Sequence, residues 1–262
     1  MPLLRALACW FLLLSLAAAA LVLLAVTWSP GLVMRVIAPR WGRWPCRVAG
    51  ITLDVQGQEH LNAPAVIVSN HQSTLEIFII PAVLPAKVRY VGKKEVGRIP
   101  LVGWVMRATG QILIDRQDPR GAIAALTESL KGLPPGVSVF VFPEGTRSQD
   151  GELGPFKKGA FHMALQLGLP IVPLTVDGAQ RLMPKTSRLP RTGTVQVRIS
   201  PPIDTRGWTV EGLDGHVAEV RAVIGGQLER LRAQASEPRL TTLLPIASGP
   251  EATGGVGKSK DA

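Results

Sequence analysis

An α/β fold is predicted: a mostly parallel sheet flanked by helices, behind an N-terminal membrane-embedded helical segment. Three observations predict it. Short apolar runs alternate with helix-spaced segments after residue 50, the pattern of parallel strands joined by crossover helices. The polar, chemically capable residues cluster just after those runs. Ahead of them, no charged residue lies between Arg5 and Arg35.

That uncharged stretch is rich in Leu and Ala and closes on Trp28-Ser29-Pro30-Gly31. About 20 apolar residues match a hydrocarbon core of ~30 Å. A cleaved signal peptide is the rival reading, but the run continues past the small residues Ala17–Ala20. Arg5 alone precedes it, whereas Arg35, Arg40, Arg43 and Arg47 follow. The positive-inside rule then puts the C-terminal side in the cytoplasm, at the inner or cytoplasmic membrane. Trp28, Trp41 and Trp44 suit the interface, with the arginines on anionic head groups. Spanning and folding back within one leaflet both remain open; Pro30-Gly31 permits a turn and a short second helix, Leu32–Ile37.

Residues 1–48 are therefore expected to form an anchor and basic interfacial segment. Residues 49–235 form the globular domain, and 236–262, rich in Gly, Ser, Ala and Pro, a disordered tail. Strands are expected at Ile51–Gly57, Ala65–Ser69, Val88–Val91, Gln111–Ile114, Val137–Val141, Ile171–Val176 and Thr194–Ile199. Helices are expected at Ser73–Val83, Leu101–Ala108, Pro119–Lys131, Lys157–Leu167 and Val210–Ala233.

The 29 basic and 19 acidic residues leave a net charge of +10, which favours an anionic partner. Nucleic acid is disfavoured, because Tyr90 is the single tyrosine and most tryptophans lie in or near the membrane segment. Two cysteines exclude a disulfide framework. A serine hydrolase of the α/β type needs Gly-x-Ser-x-Gly, and none occurs. No metal site is expected, since there is no H-E-x-x-H and the other histidines are isolated.

Three loops carry chemistry. In Asn70-His71-Gln72-Ser73-Thr74-Leu75-Glu76 a histidine at a strand end is followed five residues later by a carboxylate. An imidazole oriented by a carboxylate is a general base for a hydroxyl. Pairing across five residues requires His71 to lie before the regular helix. Ser73-x-x-Glu76 is equally a capping box, so Glu76 alternatively serves only backbone N–H groups. In Ile114-Asp115-Arg116 the arginine is placed to grip a phosphate, or else forms a local ion pair. In Phe142-Pro143-Glu144-Gly145-Thr146-Arg147-Ser148 a glycine allows close approach of backbone to a ligand. There Glu144 offers an acceptor for a substrate hydroxyl, Thr146 a hydroxyl and Arg147 an anion contact; the alternative is a plain chain reversal.

Taken in order with Ile171-Val172-Pro173, these loops resemble the four motif blocks of the glycerolipid acyltransferases. The closest resemblance is to the 1-acyl-sn-glycerol-3-phosphate (lysophosphatidic acid) acyltransferase family. Val91-Gly92-Lys93-Lys94-Glu95, Ile99-Pro100, Gly103 and Gly110 look like that family's linker between its first and second blocks. The resemblance covers roughly residues 50–200. It implies a catalytic dyad of His71 and Glu76, where the family usually has Asp in place of Glu76. It implies substrate binding by Arg116, Glu144, Gly145, Thr146 and Arg147, with Lys93 as a further phosphate contact. The implied reaction moves an acyl group from acyl-CoA or acyl carrier protein to the sn-2 hydroxyl of lysophosphatidic acid, without cofactor or metal. A related acceptor, such as lyso-ornithine lipid or another lysophospholipid, would keep the same dyad.

Overall fold

The computed structural model describes residues 2–115, 119–187 and 189–236. Two long helices come first, α1 (Pro2–Thr27) and α2 (Pro30–Ala49). The domain continues with β1 (Ile51–Gln56), β2 (Val66–Ser69), α3 (Glu76–Val83), β3 (Val88–Lys93), α4 (Val102–Ala108) and β4 (Ile112–Ile114). It ends with α5 (Pro119–Lys131), β5 (Ser138–Val141), α6 (Gly159–Leu167), β6 (Ile171–Asp177), α7 (Ala179–Leu182), β7 (Gly193–Ile199) and α8 (Leu213–Ser236). Tight 3-10 turns at Gln58–Leu61 and Lys94–Arg98 were not foreseen from sequence.

The seven strands lie in the order β1-β7-β6-β2-β5-β3-β4. Every pairing is parallel except β6 with β7. The five strands β6, β2, β5, β3 and β4 therefore share a direction, and their C-terminal ends share one edge of the sheet. β2 is buried along its whole length and reads as a continuous apolar run, as a strand covered on both faces must. Its side chains alternate between two cores. Ile67 packs with Leu75, Ile79, Ile80 and Val83 around α3, while Val66 and Val68 pack with α5, α6 and α8 through Leu126, Phe161, Val220 and Ile224.

The short helix expected at Leu32–Ile37 is a correction. α2 runs 20 residues, through Pro39 and Pro45. Each internal proline lacks a helix N–H, which normally ends a helix. Packing overrides that cost: Val33, Met34, Ile37, Pro45, Cys46 and Ala49 are all buried. Ser29 caps the start, its side chain accepting from Leu32 N–H at 3.2 Å, with Pro30 at the first turn. Gly50 closes the end in the left-handed conformation, φ 72°.

α1 is long and apolar enough to cross a membrane by length and composition. It does not run away from the domain. Cys9 Sγ donates to the Pro45 carbonyl at 3.7 Å, and the Arg5 guanidinium lies beside Gly50. α1 and α2 are thus an antiparallel hairpin with its tip at Trp28, 87% exposed, and both of its open ends on the domain. The expected boundary at residue 48 is correspondingly blurred, because Cys46 and Ala49 belong to the core around α3. α8 extends to Ser236; the tail expected to be disordered lies, from residue 237, outside the described residues.

Gly42 fixes how the hairpin meets the domain. A Cβ there would fall 2.2 Å from the Ala82 backbone nitrogen and 2.7 Å from the Phe78 carbonyl oxygen. Only a glycine lets α2 and α3 approach so closely. Gly42→Val should therefore cost about 3 kcal/mol or more, read as a lowered denaturant midpoint. Gly31→Ala, with nothing within 4 Å, should be neutral or slightly stabilising in the same measurement.

Candidate active site

β2 and β5 are neighbours, so the loops leaving their C-terminal ends adjoin. The first loop leaves the sheet through Asn70. Its side-chain amide donates to the Val176 carbonyl and accepts from Val176 N–H, each at 2.8 Å. This buried side chain continues the β2–β6 ladder one step beyond Ser69 and Leu174. The main chain is then free to turn, and His71 is the first residue past the sheet.

His71 is held at four points. Its N–H donates to Glu144 Oε1 at 2.6 Å, and its carbonyl accepts from Ser148 N–H at 2.8 Å. Its ring stacks on Phe142, centroids 3.9 Å apart and planes 13° apart. Phe142 in turn stands edge-on to Phe140 at 4.9 Å. The ring Nδ1 lies 2.5 Å from Glu76 Oε2.

Glu76 is fully buried at the first position of α3. Gln72 N–H donates to its Oε1 at 2.9 Å and its Oε2 at 3.2 Å, and Ser73 N–H to Oε1 at 3.1 Å. A carboxyl receiving these donors is an acceptor, so Nδ1 carries the proton and donates. Nε2 then presents its lone pair. The helix begins at Glu76 rather than Ser73, which is how a five-residue spacing brings ring and carboxylate together. The capping alternative and the dyad coexist on one carboxylate. Ser73 Oγ turns elsewhere, donating to the Met183 carbonyl at 2.7 Å.

The second loop braces the first. Glu144 is buried, with Oε1 on His71 N–H and Oε2 on Gly154 N–H at 3.0 Å. Both oxygens are occupied by backbone, so Glu144 positions the loops rather than lying open to a substrate hydroxyl as the motif suggested. Burial pushes its carboxyl above the usual carboxylate range, and the two N–H donors partly offset this. Gly145 sits at φ 73° and closes the turn by donating to the Phe142 carbonyl at 3.1 Å. Thr146 is exposed. The Arg147 guanidinium reaches back to Thr74 Oγ1 on the first loop.

Lys93 ends β3, on the far side of β5 from His71, and pairs with Glu95 at 3.3 Å. Arg116 lies outside the described residues. Lys185, not singled out from sequence, donates to the Arg147 carbonyl at 3.3 Å. Gln72 and Arg232 were also missed. Gln72 Nε2, at 2.8 Å, and Arg232 Nη2, at 2.5 Å, both donate to the Gly151 carbonyl, and Gly151 N–H donates to Ser148 Oγ at 2.9 Å. Asn70, adjacent to the histidine, could have been suspected; Arg232, on α8, gives no local signal.

Residues 52–177 match the family model described as Acyltransferase. That segment is similar to an acyltransferase domain. The 1-acyl-sn-glycerol-3-phosphate acyltransferase of Limnanthes douglasii is 38% identical over 177 residues, 67% of this chain and 63% of that protein. The human 1-acyl-sn-glycerol-3-phosphate acyltransferase alpha is 38% identical over 178 residues, 66% and 62% of the two chains. The chain thus spans less than two thirds of the length of these relatives. The crystal structure of the 1-acyl-sn-glycerophosphate (LPA) acyltransferase from Thermotoga maritima superposes with a TM-score of 0.76 at 26% identity, covering 90% of this chain and 98% of that one.

The acyltransferase match ends at Asp177, the last residue of β6. It contains His71, Glu76 and Glu144 and leaves out the hairpin, Lys185 and Arg232. The brace from Glu144 has a pH signature. The folded chain holds the Glu144 proton more tightly than the unfolded chain does, because burial raises its pKa. Stability from this group is therefore full below the ordinary glutamate range and is lost as pH rises through the raised value. Urea midpoints of wild type and Glu144→Gln from about pH 4 to about pH 8 check this: any wild-type advantage should shrink as pH rises, and a constant difference would contradict it.

Proposed function

We propose that the chain transfers a fatty acyl group from a thioester donor, acyl-CoA or acyl carrier protein, to the sn-2 hydroxyl of lysophosphatidic acid. The observation that carries this is the 2.5 Å contact of His71 Nδ1 with Glu76, which leaves Nε2 as the basic nitrogen. His71 Nε2 takes the hydroxyl proton as the oxygen attacks the thioester carbon. The carbon–sulfur bond then breaks, and the departing thiolate takes the proton from the imidazolium. The products are phosphatidic acid and the free thiol. Glu76 steadies the imidazolium while it lasts. Arg147, tied to the same loop through Thr74, would take the acceptor phosphate through its guanidinium.

The names of the relatives support this acceptor, since they describe action on 1-acyl-sn-glycerol 3-phosphate. The apolar helix α1 supports a position at the membrane, where such an acceptor resides. Both open ends of the hairpin lie on the domain, so it enters and leaves the lipid by one face. The basic residues after α1 favour the cytoplasmic face of the inner membrane.

Acyl transfer in detergent micelles tests the proposal, with lysophosphatidic acid and phosphate-free analogues in competition. His71→Ala should lower kcat roughly 10²–10⁴-fold with the fold intact by circular dichroism. Near-wild-type turnover would remove the base. Glu76→Gln should cripple the rate, whereas Glu76→Asp should keep much of it. Arg147→Ala should raise the acceptor KM roughly tenfold to a hundredfold and leave the donor KM alone. Preference for a phosphate-free lysolipid would move the acceptor to another class, lyso-ornithine lipid among them.

A further inference from the structure

The segment joining β3 to β4 is built as a knuckle. A 3-10 turn, Lys94–Arg98, leads through Ile99, Pro100 and Leu101 into α4. Gly103 presses on Gly97: a Cβ on Gly103 would fall 2.2 Å from the Gly97 carbonyl oxygen. Leu101 is held at φ 62°, a region that side-chain-bearing residues avoid. This arrangement turns two large apolar side chains outward, Ile99 at 46% and Trp104 at 53% exposure, with Pro100 exposed between them. Folding gains nothing from exposing them, so the exposure calls for a partner.

The inner side of α4 shows what that partner is. Val105 packs into the cluster formed by Leu16 and Ala20 of α1 with Val33 and Ile37 of α2. α4 therefore abuts the hairpin midway along α1. The outer side of α1 exposes Trp10, Phe11, Leu14 and Val22. Ile99 and Trp104 are thus exposed on the segment of the domain that abuts this helix. Arg98 and Arg107 are both exposed, and the Arg107 guanidinium folds back beside Gly97, next to Arg98.

The arginines also constrain depth. A spanning α1 would put its midpoint at the bilayer centre and draw Arg98 and Arg107 toward the hydrocarbon, where charge is costly. A shallow hairpin avoids this, with Trp104 at the interfacial level favoured by indole and the arginines among head groups.

We propose that Ile99, Pro100 and Trp104 form a second lipid-contacting surface, inserted into the same leaflet as α1, with Arg98 and Arg107 on lipid phosphates. It rests on the membrane reading given under Proposed function, not on the acyl-transfer chemistry. The surface follows directly from β3, whose C-terminal end shares the sheet edge with His71. It thereby holds that edge at the level of the lipid.

Vesicles of phosphatidylcholine and phosphatidylglycerol with brominated acyl chains test this on the full chain. The wild type should bind, and its tryptophan fluorescence should be quenched. Trp104→Phe should lose part of the quenchable signal. Ile99→Asp combined with Trp104→Asp should lower vesicle affinity about tenfold or more, while transfer to a short-chain, water-soluble acceptor persists. Unchanged quenching in Trp104→Phe, or unchanged affinity in the double variant, overturns the proposal. Should the double variant not fold, the Trp104→Phe comparison decides alone. A wild type that ignores vesicles sinks the membrane reading as well; a wild type that binds without a Trp104 signal sinks this surface only.

Discussion

A single buried carboxylate carries the geometry of the site. Glu76 is fully buried, yet it receives the N–H groups of Gln72 and Ser73 and the imidazole of His71. A buried charge without donors would be intolerable, and with them it becomes a rigid anchor. The first turn of α3, the path of the loop and the tautomer of the ring all follow from satisfying that one group. The ring is stacked on Phe142 as well, so its remaining freedom is small. Little reorientation is left to be done when a proton arrives.

Rigidity at His71 is drawn from segments far apart in the chain. Glu144 fastens the histidine N–H to the loop after β5, and Gly154 N–H fastens Glu144. The Gly151 carbonyl is shared by Gln72, in the first loop, and Arg232, near the end of α8. Arg232 also meets Glu152 at 2.8 Å, and its Nε lies 3.8 Å from the buried Asp177 at the end of β6. A helix outside the matched family segment thus buttresses the loop that positions His71. A planar, permanently charged fork that meets three groups at once suits that task better than a lysine would.

Most of the strands and the chemical loops were legible because each signal is local. An apolar run between turn residues marks a buried strand, and polar residues just beyond it mark the functional edge. His71 and Glu76 were legible as a pair only on the condition that the helix start after the histidine, and Glu76 itself opens α3. The role of Glu144 was not legible. A carboxylate in a motif loop looks available to substrate, and only the placement of His71 and Gly154 shows both oxygens in use. α2 was misjudged for a related reason. Pro39 and Pro45 give a correct local signal against helix, and the contact of Gly42 with Ala82 outweighs it from 40 residues away.

The same contact joins the hairpin to the chemistry. Gly42 seats α2 against the backbone of α3 at Phe78 and Ala82, and the Trp41 ring lies 6.5 Å from that of Phe78. α3 opens with Glu76, two residues before Phe78. The helix that holds the carboxylate is therefore also the floor on which the hairpin stands. A domain on a flexible tether would leave the position of His71 relative to the hairpin to chance. Here backbone-to-backbone packing fixes it, because a helix pair this close has no room to rock without collision. For the acyl transfer we propose, such a mount would leave the approach of the lipid to lateral diffusion, with the geometry of attack set beforehand.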